Sequence, residues 1–223
     1  DDELFPNGKG RKVVASDFAY SFNRLIDSTV ASTGGWLFND KVDKNNPFEA
    51  LNDTTFIIHL KVPFHPMLGM LSLQYCSVVP KEVVTHFGKD FRSHPVGTGP
   101  FKLVRWEENN VLILTKNENY FERDTSGIKL PYLKGVRVSF VADRGTEFLQ
   151  FSQGKLDFIT GLDVSYKDKL LSRTGELLPE WKSDIIFEKM PYLNTEYLGI
   201  SMGKQPCEAL KNKKVRQAIN YAI

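Results

Sequence analysis

The sequence has little cysteine, little histidine and almost no net charge, and it contains no long apolar run. Two cysteines, Cys76 and Cys207, stand far apart among 223 residues, without the CxxC spacing of a metal or redox site. The pair leaves a disulfide and two free thiols both open. His59, His65, His86 and His94 show neither HExxH nor HxH spacing, so the common zinc arrangements are excluded. No GxSxG elbow offers a nucleophilic serine. A formal net charge of +2 gives no electrostatic footprint for nucleic acid. No apolar stretch approaches the length of a membrane span. The opening residues, DDELFPNGKG, carry no signal peptide.

What is present is a balanced composition, 41% apolar and 25% charged, enough for a buried core. Strands and helices mix without strict alternation, which indicates an α/β (mixed α+β) protein with a mixed β-sheet. SDFAYSFNRLID places Phe18, Phe22 and Leu25 at helical spacing behind Ser16 or Asp17 as N-cap. TTFIIHLKV alternates as a strand with Phe56, Ile58 and Leu60 on one side, and His59 at the outward phase. FHPMLGMLSL suits a short helix, and PKEVVTHFG has the proline and glycine punctuation of another. DRGTEFLQFSQG and DVSYKDKLLSRTG are helical, while GVRVSFV, LDFIT, DIIFEKM and TEYLGISM are expected as strands. The terminal KKVRQAINYAI is an amphipathic helix with Val215, Ile219 and Ala222 on one stripe. It stops at Ile223 without a cap, so the chain is expected to be a fragment of something longer.

The stretch HPVGTGPFKLVRW, residues 94 to 106, poses a sharper question. A phosphate loop of the Walker type needs Lys and then Ser or Thr after its last glycine. Here Pro100 follows Gly99, and proline has no N–H to offer a phosphate. A dinucleotide loop runs from strand to helix, whereas FKLVRW and VLILTK around EENN read as a hairpin. The glycines are therefore expected to form a corner, with Gly97 or Gly99 in a restricted or positive-φ conformation. Glu107 and Glu108 at the hairpin tip, and the KNKK run before the last helix, are solvated charge.

The remaining features are aromatic. Trp36, Tyr75, Tyr192 and Tyr197 lie in or beside turns and strand ends. Such side chains suit the walls of a binding cleft, although ordinary packing accounts equally well for any one of them.

Five segments in order, KVVASDFAYSFNRLID, HPVGTGPFKLVRW, LTKNENYF, QFSQGKLDFI and KVRQAINYAI, resemble the extracytoplasmic solute-binding proteins of peptide-type ABC importers, the oligopeptide- and dipeptide-binding family. Phe121 stands where that family often has tryptophan, and SRTGELLPEWKSD fits only loosely. The resemblance implies a first-lobe fragment of a two-lobe periplasmic-binding-protein-like fold. Residues 1–95 would be the smaller subdomain of lobe one, 96–205 its sheet-containing part, and 206–223 the start of a truncated lobe two. It also implies a binding protein rather than an enzyme, without a cofactor or metal. A peptide would be enclosed between the lobes through its backbone and delivered to a membrane permease.

The acidic residue that commonly pairs with the peptide amino group would lie in the missing second lobe. The full-length protein would be periplasmic or at the cell surface, anchored as a lipoprotein. By the same resemblance Trp36, Tyr75, Tyr192, Asn194 and Tyr197 are the candidate ligand-binding residues, with Asn194 able to donate to and accept from a peptide backbone. Relatives that carry nickel complexes, haem or oligosaccharides keep a non-peptide ligand open. A hydrolase would need a nucleophile with a positioned base, and the sequence shows no such pair. A purely structural or interaction domain derived from such a receptor is the remaining reading.

Overall fold

An apolar stripe of Phe18, Phe22, Leu25 and Ile26 makes helix α1 (Ala15–Ile26) in the computed structural model, which describes residues 4–191, 194–203 and 207–222. The helix starts two to three residues earlier than Ser16 or Asp17 as N-cap would give. Val14 occupies the cap position, and Asp17, in the first turn, accepts the Val14 backbone N–H at 2.9 Å. The carboxylate thus works from inside the helix, where the unpaired N–H groups and the helix dipole favour negative charge.

Strands β1 (Phe48–Asn52) and β2 (Thr55–Ile58) pair antiparallel, with Phe48 opposite Ile58. Their tight turn is closed by Asn52, whose Oδ1 accepts from the backbone and hydroxyl of Thr54. The same turn is tied to α1, because the Ala15 N–H donates to the Asp53 carbonyl at 2.9 Å. The expected alternation holds. Phe56, Ile58 and Leu60 pack against the core, while His59 turns outward to Glu49, Nε2 to Oε2 at 2.8 Å. Helices α2 (Met67–Leu71) and α3 (Lys81–Phe87) follow, and Gly88 ends α3 with φ 53°. The core is Phe22, Leu37, Phe38, Val42, Phe48, Met67 and Cys76, all buried. Phe22 meets Phe38, Phe48 and Phe56 with ring centroids 5.3, 5.6 and 5.3 Å apart.

Strands β3 (Phe101–Glu107), β4 (Val111–Lys116) and β5 (Gly135–Ser139) form an antiparallel meander in the order β3-β4-β5. A bulge at Val104 shifts the β3–β4 register, and Asn109 takes the left-handed conformation, φ 58°, in the connecting turn. The corner before the hairpin forms differently from the expectation. Neither Gly97 nor Gly99 has positive φ, and a Cβ on either would meet nothing within 4 Å. The clasp comes from Asn117 instead. Its side-chain N–H donates to the Gly99 carbonyl at 2.9 Å, and its backbone N–H donates to the Pro100 carbonyl at 2.8 Å. The buried Asn117 therefore closes the entry of the hairpin from its exit, satisfying carbonyls that the proline-bearing turn leaves without a ladder. Helix α4 (Arg144–Ser152), N-capped by Asp143, completes the unit Asp1–Leu156.

The second unit, Asp157–Ile223, begins with α5 (Val164–Leu170), capped by Asp163. It ends in α6 (Glu208–Lys211) and α7 (Lys213–Tyr221), the latter capped by Asn212. The final helix is the expected one, with Val215 and Ile219 half-buried and Ala222 at its C-cap. The segments LDFIT, DIIFEKM and TEYLGISM are not strands among the described residues. Their pattern suits strands, but a strand forms only where a neighbour takes its N–H and C=O groups. None lies alongside, and Phe158, Ile186, Met190, Tyr197 and Leu198 are exposed. Trp181 instead anchors a local fold, its indole N–H donating to the Lys169 carbonyl at 2.9 Å. Both cysteines are free thiols, Cys76 buried and Cys207 exposed.

A polar latch joins α1 to α3. The Arg11 guanidinium grips Asp17 with contacts of 2.6 and 2.8 Å and Glu82 with contacts of 2.6 and 3.0 Å. Its hydrogen bonds hold both carboxyls below their ordinary range, and they raise its own pKa in return. A carboxylate with a depressed folded pKa adds stability above its unfolded pKa, and that stability is lost as pH falls through the folded value. Urea titrations should therefore show stability declining as pH drops below about 4. Asp17→Asn should cost about 2 kcal/mol at neutral pH and flatten this acid limb. An unchanged limb in the variant would mean that the latch contributes nothing.

Candidate functional site

The turn Gly34–Phe38 presents the first candidate residues. Ser32 begins it by accepting the Gly34 N–H at 3.2 Å, and a 3-10 turn over Gly35–Leu37 follows. Leu37 and Phe38 point into the core and are almost fully buried. Trp36, directly before them, faces outward and is 53% exposed. Buried residues on both sides of an exposed ring, Gly35 and Leu37, are what a rigid recognition wall requires, since the backbone is fixed while the indole stays available. Lys41 secures the turn further by donating to the Trp36 carbonyl at 3.1 Å.

Tyr75 comes to the same turn from a different segment. It sits in a 3-10 turn over Gln74–Cys76, with buried Cys76 beside it and its ring packed against the core. A Cβ on Gly34 would lie 2.9 Å from the Cβ and Cδ1 of Tyr75, so the tyrosine rests directly on the glycine backbone. A Cβ on Gly35 would lie 2.7 Å from the Leu25 carbonyl oxygen. These two glycines are thus dictated by close approach, Gly34 to a ring and Gly35 to the end of α1. Trp36 and Tyr75, 39 positions apart in the sequence, are brought to one turn.

In the second unit, Asn194 donates from Nδ2 to Glu196 Oε1 at 2.6 Å, and Tyr197 is 86% exposed. Tyr192 lies outside the described residues. The Asn194 amide retains its carbonyl oxygen and one further N–H for a backbone partner. Burial pushes the Cys76 thiol above its usual range, which disfavours a nucleophilic thiolate. Among the described residues no group of three or more His, Cys, Asp or Glu side chains is placed to hold a metal. No described helix is long and apolar enough to cross a membrane.

Sequence reasoning found the aromatic residues but missed the glycines beneath them, Gly34 and Gly35, and, elsewhere in the unit, the Asn117 clasp and the Arg11 latch. The GG pair in STGGWLFND was the available signal, since adjacent glycines mark close backbone approach as well as turns. Gly35→Ala tests this support directly. The added methyl meets a backbone oxygen that cannot move aside, and the cost should be about 1–3 kcal/mol in denaturant unfolding. A variant as stable as the parent would show that the turn adapts freely.

Comparison with known proteins places these features in a family. The sequence profile of the bacterial extracellular solute-binding proteins, family 5 Middle, matches residues 4–223. The glutathione-binding protein GsiB of Escherichia coli O1:K1 / APEC is 27% identical over 175 residues, covering 78% of this chain and 31% of GsiB. The chain thus spans about a third of the length of the curated relatives it matches. Among solved structures, the periplasmic binding protein DppA of Helicobacter pylori, in complex with the peptide STSA, superposes with a TM-score of 0.61. It is 25% identical, with 73% of this chain and 33% of DppA covered. The pheromone receptor PrgZ covers 96% of this chain and 42% of its own, at a TM-score of 0.69 and 23% identity, a likeness of fold. The mixed α/β architecture is therefore that of the periplasmic binding proteins. The chain belongs to the bacterial extracellular solute-binding proteins, family 5.

Proposed function

We propose that this chain is the first-lobe portion of the extracytoplasmic solute-binding component of an ABC importer. In this reading the whole protein captures peptides between two lobes and hands them to a membrane permease. The observation that carries it is the family match along residues 4–223. The peptide held by DppA and the glutathione named for GsiB, itself a tripeptide, favour a peptide ligand over other solutes. Within lobe one, residues 1–95 make the smaller subdomain and 96–205 the sheet-bearing part, with lobe two starting at 206. The full-length protein works outside the cytoplasm, anchored as a lipoprotein, and binds without catalysis.

Trp36 and Tyr75 supply part of the ligand wall, with Tyr192, Asn194 and Tyr197 as further contacts. The exposed indole offers a flat apolar face at low entropic cost, suited to a ligand whose side chains vary. Backbone hydrogen bonding from groups such as Asn194 supplies affinity common to all peptides.

Mass spectrometry of material co-purifying with the full-length protein tests the reading. A ladder of peptides is the expected result, and a metal complex, haem or a sugar would overturn it. In that protein Trp36→Ala should weaken peptide binding by about tenfold or more while leaving the unfolding midpoint in place, because the ring is largely outside the core. Unchanged affinity would remove Trp36 from the ligand wall.

A further inference from the structure

Behind Tyr75 lies a cavity of about 230 Å³. Leu25, Val30, Val79 and Phe91 give it apolar walls. Its polar lining includes Arg24, Ser32, Gln74 and Tyr75, and these share an unusual condition. Among the described residues the Arg24 guanidinium makes no hydrogen bond or ion pair, its one close partner being the Tyr20 ring, 5.9 Å away. The Tyr75 hydroxyl and the Gln74 side chain likewise have no hydrogen-bond partner among the described residues. Ser32 Oγ accepts from Gly34, which leaves its O–H free to donate. The acid that acts on Arg24, Asp27, is already engaged by the backbone N–H and hydroxyl of Thr29 at 2.8 and 2.7 Å. A second cation, Lys81, stands 6.0 Å from the centroid of the same Tyr20 ring.

Arg24 is thus the one charged side chain that lines the cavity, and no carboxylate lines it beside the guanidinium. Guanidinium is suited to a planar anion that it can grip with two parallel N–H groups. The volume falls below the roughly 300–1,000 Å³ of pockets for drug-sized ligands, so the guest is the size of one residue. We propose that this cavity binds an α-carboxylate bearing an apolar side chain, with Arg24 gripping the carboxylate, Ser32 and Tyr75 donating to it, and Leu25, Val30 and Phe91 enclosing the side chain. A free amino acid and the last residue of a peptide share this chemistry. The inference shares Tyr75 with the proposed ligand wall, but it is tested separately, on this chain with a probe that needs no second lobe.

Two-dimensional amide NMR of the 223-residue chain tests it, with N-acetyl-leucine as probe and N-acetyl-leucinamide as its uncharged match. The acid should produce saturable shifts confined to residues around 24–32 and 74–79, and the amide should bind at least about tenfold more weakly. Arg24→Gln should lose the acid's binding by a similar factor while its remaining spectrum stays folded, since the Arg24 side chain makes no hydrogen bond among the described residues. Leucine and a leucine-ended tripeptide, compared in the same way, tell a free amino acid from a chain end. Equal shifts from acid and amide, unchanged binding by the glutamine variant, or no saturable shift at millimolar probe would each overturn the proposal. The comparison of acid with amide uses the unmodified chain, so it decides the matter even if the variant misfolds.

Discussion

Phe22 is the point on which the first unit turns. Its ring lies at the centre of a cluster in which Phe38 comes from the Gly34–Phe38 turn, Phe48 from β1 and Phe56 from β2. Edge-to-face contacts with Phe48 and Phe56 and a tilted contact with Phe38 fit the ring quadrupoles as well as bury area. Every element that carries Trp36 or Tyr75 is positioned against this cluster. Trp36 is held because Gly35 and Leu37, on its two sides, are buried, and Tyr75 because Cys76 is a core residue. The exposed indole is therefore a consequence of burial on either side of it.

Polar contacts finish what the rings begin, and they do so at chain junctions. Arg11 binds α1 to α3 through two carboxylates. Asn117 binds the start of the β3–β4 hairpin to its end, and Asp53 binds the β1–β2 turn to α1. Each spans segments that the hydrophobic pattern leaves free to slide, so each converts approximate packing into a fixed register. The second unit has fewer such closures. Its segment around Ile186–Met190 leaves large apolar side chains in solvent, and the chain spans about a third of the length of the curated relatives it matches.

Much of this was legible in the sequence, and the exceptions share a cause. Periodicity gave α1, the β1–β2 side facing inward, the β3–β4 hairpin and α7, because each pattern is satisfied within its own segment or by the next one. Proline after Gly99 excluded a phosphate loop without any structure. The corner at Gly97–Gly99 was misread because its restraint comes from Asn117, a residue eighteen positions later, and no local rule carries that information. DIIFEKM and TEYLGISM have the alternation of strands, but a ladder partner is a property of the fold and not of the segment. For the candidate site, the aromatic residue types were readable. That Trp36 and Tyr75 meet at one turn was not, since it depends on Gly34 lying flat beneath a ring from elsewhere in the chain.

The aromatic cluster makes the Trp36 turn as rigid as the core itself. Native-state hydrogen exchange addresses it through three amides, those of Leu37, Phe38 and Asn39, which donate to the carbonyls of Gly34 and Gly35. They should exchange only through global unfolding, with the same protection as the middle of α1, and Phe22→Ala should lower both sets together. Fast exchange of the turn amides while α1 stays protected would contradict it, showing that Trp36 rides on a loop that opens independently of the core.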